Sequence, residues 1–159
     1  MYQSHLDLSA HIRKGSIALL QARLSDSLDL EAQMKQAHWN VKGRNFFMLH
    51  ELFDKIHGVV EDFVDLIAER ITTLGGVADG RVQTTAKKSS LYEYSLETTG
   101  GESHLKVVAA VLAQFGKALR ADIDAAAELG DADTADVFTE VSRETDKQLW
   151  FVEAHLAGD

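Results

Sequence analysis

The chain has 159 residues, 45% of them hydrophobic and 26% charged, a balance that suits one globular domain spanning residues 1–159 and excludes a disordered chain. Cysteine is absent, which removes disulfide frameworks, thiolate nucleophiles and zinc–thiolate sites from consideration and is compatible with a reducing compartment. Net charge is −9, residues 1–12 hold no Lys or Arg, and the last seven residues add only acids, so neither end supplies the basic arm that neutralises nucleic-acid phosphates.

Residues 8–40 carry apolar side chains at Ile12, Leu19, Leu20, Leu24, Leu28 and Met34, broadly the 3.6-residue period of an amphipathic helix, and Gly43 breaks the pattern. Lys42 and Arg44 in that break, like Lys87 and Lys88 further on, read as solvated surface. Residues 45–74 form the second helix, rich in Phe, Leu, Ile and Val and ended by Gly75-Gly76. A polar, Ser- and Thr-rich stretch over 77–101 reads as a long crossover, with a short helical turn expected near 91–96. Residues 105–129 and 134–156 supply the last two helices, separated by Gly130. With no β-like competitor, the expected architecture is an all-α four-helix bundle with one overhand connection carrying a short helix between helices two and three. The first residues lack the positive flank and apolar run of a secretory signal, and no stretch approaches a membrane span, so the expected location is cytoplasmic with no membrane partner.

Most enzyme signatures are missing. No glycine-rich phosphate loop follows a strand, and there is no nucleophile elbow and no His-Glu-x-x-His pair. Glu-x-x-His is absent too, and residues 105–119 contain no acid, so a di-iron site inside one bundle is excluded. What remains is a series of ligand-competent side chains: His38, His50, Asp54, Asp65 and Glu69. His50 with Asp54, and Asp65 with Glu69, are i, i+4 pairs on one helix, and each pair can grip one metal. At 1.5 Å rise per residue the two pairs lie roughly 22 Å apart, so one straight helix cannot unite them. The same helix of a two-fold partner, packed antiparallel and crossing near Gly58, could. Periodicity alone does not choose the ligands: Glu61 lies on the same arc and His57 lies close to it, and a solvated helix face stands beside the metal-binding reading. Lys35, one turn before His38, is a candidate partner for a ligand carboxylate, or simply a surface lysine. Trp39 is a candidate trap for stray oxidising equivalents, or simply a packing aromatic.

The run His38-Trp39-Asn40-Val41-x-Gly43, then Phe46, Leu49-His50-Glu51, Asp54, Asp65-x-x-Ala68-Glu69-Arg70 and Leu74-Gly75-Gly76, resembles the Dps family of mini-ferritins. The stretch Asp133-Thr134-Ala135-Asp136 through Asp146-Lys147-x-Leu149-Trp150-Phe151 is similar to that family's last helix. Arg44 departs from the family, many members of which have proline there. The resemblance implies a ferritin-like fold and a ferroxidase, with His38, His50 and Asp54 from one subunit and Asp65 and Glu69 from its two-fold mate holding a two-iron site. It further implies oxidation of ferrous iron by hydrogen peroxide, ferric storage in a hollow dodecamer, and protection of DNA and cell from oxidative damage. In the family the region of Asp131, Asp133, Asp136 and Glu140 lines a three-fold pore, where carboxylate rings would concentrate ferrous ions; capping of the final helix is the plainer reading of the same acids. Two alternatives remain: a DNA-compacting nucleoid protein of the same fold, set against by termini without basic residues, and a helical oligomer with no redox role.

Overall fold

The second helix shows why the chain folds as it does. Phe53, Ile56, Val60, Phe63, Ile67 and Ile71 recur every three or four residues and are all buried, so one stripe of this helix faces the interior along its whole length. The computed structural model describes residue 2 and residues 4–157. In chain order these form α1 (Ala10–Asn40), α2 (Phe46–Thr73), α3 (Val82–Lys88), α4 (Gly101–Leu129) and α5 (Ala132–Ala154). Helix α1 packs chiefly on α2 and α4 chiefly on α5, with α1 against α4 closing the bundle and α3 resting on α1. Among the described residues there is no strand, and no helix is long and apolar enough to cross a membrane. Met1, Gln3, Gly158 and Asp159, part of the termini that lack Lys and Arg, lie outside the described residues.

Local chemistry sets the helix ends. Ser9 caps α1 by accepting the Ile12 N–H at 3.3 Å. Helix α2 ends where Gly75 adopts φ +87°, which lets the Gly76 N–H reach back to the Ile71 carbonyl at 2.9 Å. A Cβ on Gly76 would sit 2.9 Å from that same carbonyl oxygen, so the glycine pair is required twice over. Arg13, buried on α1, donates to the Leu74 carbonyl at 3.3 Å, and the Tyr2 hydroxyl donates to Thr72 O at 2.8 Å, so carbonyls left over at the end of α2 are satisfied. Helix α4 begins at Gly101, four residues earlier than the apolar pattern indicates, because Ser103 and His104 belong to its first turn.

The crossover carries its short helix at Val82–Lys88, not near 91–96 as the sequence suggested. Asp79 explains the first part: its carboxylate accepts the Arg81 N–H and the Thr84 hydroxyl and so organises the turn that opens α3. Side chains of neighbouring helices explain the second. Asp26 accepts from Ser90 N at 2.7 Å, Gln33 Nε2 donates to Tyr92 O, and Gln114 accepts from Tyr92 N while donating to Ser90 O. Backbone groups between 90 and 92 are thus paired outside the segment, and helix formation there would break these bonds. The same contacts account for buried polar Asp26 and Gln33 on α1, a helix whose inward face is only partly apolar.

Candidate metal centre

The end of α1 and the first turns of α2 lie side by side, which brings His38 and His50 into contact with Asp54 as their neighbour. His38 Nδ1 lies 2.8 Å from the His50 carbonyl, and His50 Nδ1 lies 2.8 Å from the His38 carbonyl. A carbonyl can only accept, so each ring carries its proton on Nδ1 and leaves an Nε2 lone pair free for a cation. The rings stack with centroids 3.6 Å apart and planes inclined by 22°, and Phe46 packs 5.2 Å from the His50 ring. Reciprocal bonding fixes both imidazoles against rotation, which is the second support that metal-binding histidines need.

Asp54 stands one turn beyond His50, half-exposed, with Oδ1 3.9 Å from His38 Nδ1. Lys35 Nζ donates to that same Oδ1. This hydrogen bond, helped by the lysine charge, holds the Asp54 carboxyl below its ordinary range, so the group is an anion at neutral pH. Lys35 therefore touches a candidate ligand and is not a free surface lysine. Trp39 is 68% exposed and belongs to no core of its own chain.

Asp65 and Glu69 do not join this group. Both are exposed on α2, three to four turns further along an unbroken helix. Among the described residues of a single chain, no three His, Asp or Glu side chains converge tightly enough to hold a metal. His57 faces Glu31 of α1, with Nε2 to Oε1 3.4 Å, and so ties α1 to α2; Glu61 is exposed with no partner assigned. At Gly58, midway between the two pairs, an added Cβ would meet nothing within 4 Å.

A ferritin-like domain model matches residues 17–158. The "DNA protection during starvation protein" of Agrobacterium fabrum is 37% identical over 150 residues, covering 94% of this chain and 93% of that one. The chain belongs to the Dps family. A protein of the same name from Brevibacillus brevis is 32% identical over 142 residues, covering 87% and 92% of the two chains. Among solved structures, the tetragonal form of Mycobacterium smegmatis Dps superposes with a TM-score of 0.94 at 32% identity, covering 99% of this chain and 95% of that one. The bundle is therefore the ferritin-like fold of Dps proteins, short crossover helix included.

The acids at the start of α5 divide into two sets within this Dps chain. Asp131 is 1% exposed; it caps α5 by accepting the Thr134 N–H at 3.1 Å and forms an ion pair with Arg70 at 2.7 Å. Of the two readings of these acids, Asp131 thus takes the capping one and is turned away from solvent in its own chain. Asp133, Asp136 and Glu140 are exposed. Arg70, which enters the sequence reading only as part of the run that carries the family resemblance, joins the end of α2, next to Glu69, to the start of α5 through Asp131 and Thr134.

Proposed function

We propose that the chain is a cytoplasmic mini-ferritin that oxidises ferrous iron, preferentially with hydrogen peroxide, at two-iron sites shared between two-fold-related copies, and keeps the ferric product inside a shell of twelve copies. The observation that carries this reading is the reciprocal bonding of His38 and His50, which leaves two Nε2 lone pairs free on stacked rings, with an ionised Asp54 one turn away on α2. Asp65 and Glu69, exposed on the same helix and out of reach within one chain, are the complementary pair for a partner's half-site, and the open surface at Gly58 leaves room for a crossing helix.

Imidazole and carboxylate donors suit iron, and a site only partly filled by protein leaves coordination positions for the oxidant. Two ferrous ions supply one electron each; the O–O bond of peroxide breaks, takes up two protons and leaves as two waters. Pairing the electrons in one event limits the release of hydroxyl radical, and protection of DNA is then indirect, with direct DNA binding weak or absent. Peroxide-driven oxidation of ferrous iron by wild type and by His38→Ala combined with Asp65→Ala tests the reading. Wild type consumes about two ferrous ions per peroxide and the double variant falls to the protein-free rate; equal rates would reduce the chain to a scaffold.

Asp136 and Glu140 share a face of α5, one turn apart, and three copies around an axis would make rings of negative charge at an entry route for ferrous ions. Asp136→Asn with Glu140→Gln is expected to slow iron uptake about tenfold at low ionic strength and to flatten its salt dependence. Stopped-flow oxidation by correctly assembled shells checks this, and unchanged kinetics would assign these acids to helix solvation alone.

A further inference from the structure

A polar cavity of about 160 Å³ lies between the C-terminal end of α1, the last part of the crossover and the first turn of α4. Its walls include Gln36, Lys42, Ser95, Thr98, Thr99 and His104, and no Asp or Glu is among its lining residues. In a chain of net charge −9 this is a pocket with a positive balance. Its lining is also rich in donors. Lys42 offers only donors. Ser95 Oγ accepts the Glu97 N–H at 3.2 Å, which leaves its own proton to point elsewhere.

His104 makes the pocket more than a surface dent. It is wholly buried, and its Nδ1 lies 2.5 Å from the Tyr94 hydroxyl. Burial pushes the phenol pKa up and the imidazole pKa down, so both groups are neutral, and in the tautomer that serves the pocket the Tyr94 hydroxyl donates to Nδ1. The imidazole proton then sits on Nε2. The Asn40 carbonyl favours a proton on the ring, but Nε2 meets no acceptor in good hydrogen-bond geometry among the described residues. A buried N–H without an acceptor is costly, at about 1–3 kcal/mol, and an acceptor inside the cavity removes that cost.

We propose that this cavity binds a small tetrahedral oxyanion, with free inorganic phosphate as its occupant. At roughly 30 Å³ per water-sized atom the space takes about five such atoms, the heavy-atom count of phosphate. The Lys42 ammonium supplies the charge, the Ser95, Thr98 and Thr99 hydroxyls surround the oxygens, and the His104 N–H reaches from the buried end. None of these residues belongs to the proposed iron site, so the inference stands or falls apart from that reading.

Titration calorimetry of the metal-free, assembled protein with inorganic phosphate tests it, with ³¹P line broadening as a second readout. Saturable binding is expected, weakened about tenfold in Lys42→Gln and in Thr98→Val, while peroxide-driven iron oxidation in phosphate-free buffer is unchanged in both. Neither residue is in the buried core, so these variants keep the test independent of the riskier His104→Phe. Adenosine monophosphate distinguishes the sources: a closed site for the free ion takes phosphate but not the ester. Binding of the ester with equal affinity would overturn free phosphate as the occupant. No saturable binding, or equal affinity in wild type and both variants, would overturn the site and leave the cavity to ordered water.

Discussion

A mixture of two inactive chains is expected to recover activity. His38→Ala keeps Asp65 and Glu69, and Asp65→Ala keeps His38, His50 and Asp54. In a two-fold dimer of the two variants, one shared site regains every ligand and the other loses both substituted residues. Random pairing of equal amounts makes about half the dimers mixed, so the mixture should show about a quarter of the wild-type peroxide-driven oxidation, whereas each variant alone shows only background. Coexpression with distinguishable tags, followed by isolation of doubly tagged shells, raises the mixed fraction and should raise activity with it. The expectation rests on helix geometry: α2 is continuous from Phe46 to Thr73, so its two carboxylate-bearing ends cannot fold onto each other. Doubly tagged shells with background activity would contradict a shared site.

The same rigidity explains what is legible in the sequence. A 28-residue helix with an unbroken apolar stripe allows little besides burial of that stripe, so the i, i+4 pairs and their separation follow from spacing alone. Glycines mark three of the chain breaks because proline is absent, and each break is where the pattern placed it. The crossover was not legible in the same way. Its short helix depends on Asp79 binding Arg81 and Thr84, and its extended part depends on Asp26, Gln33 and Gln114, which are distant in sequence and close only in the fold. Periodicity carries no trace of such side-chain-to-backbone bonds. The carbonyl partners of His38 and His50 were equally hidden, since sequence shows which side chains can bind a metal but not which ring nitrogen remains free. Asp131 shows the reverse case: an acid beside other acids can be read as pore or as cap until its arginine is found.

That arginine gives the largest effect on stability. Asp131 accepts from Arg70 Nη2 at 2.7 Å, from Thr134 N at 3.1 Å and from the Thr134 hydroxyl at 2.6 Å, while Arg70 Nε also donates to Thr134 Oγ1 at 3.0 Å. Asp131→Ala removes the α5 cap and leaves Arg70, 12% exposed, with the neutral Thr134 hydroxyl and a distant carboxylate, Asp133 at 3.8 Å, whose side chain is 84% exposed. Loss of one member of a pair this buried should cost about 3 kcal/mol, against about 0.5 kcal/mol or less for Asp136→Ala on the exposed face of the same helix. Asp131→Asn, which can still cap, should fall between them. Burial raises the Asp131 carboxyl pKa, but the Thr134 hydrogen bonds and the Arg70 charge outweigh it and leave the group below its ordinary value of 3.8. A depressed carboxyl contributes stability that is present above the unfolded pKa and lost as pH falls through the folded one. The difference between wild type and Asp131→Ala should therefore be level above about pH 5 and shrink in stronger acid. Denaturant unfolding at fixed protein concentration across this range checks both size and sign. A cost for Asp131→Ala no larger than that for Asp136→Ala would mean that Arg70 finds other partners and that the link between α2 and α5 is dispensable.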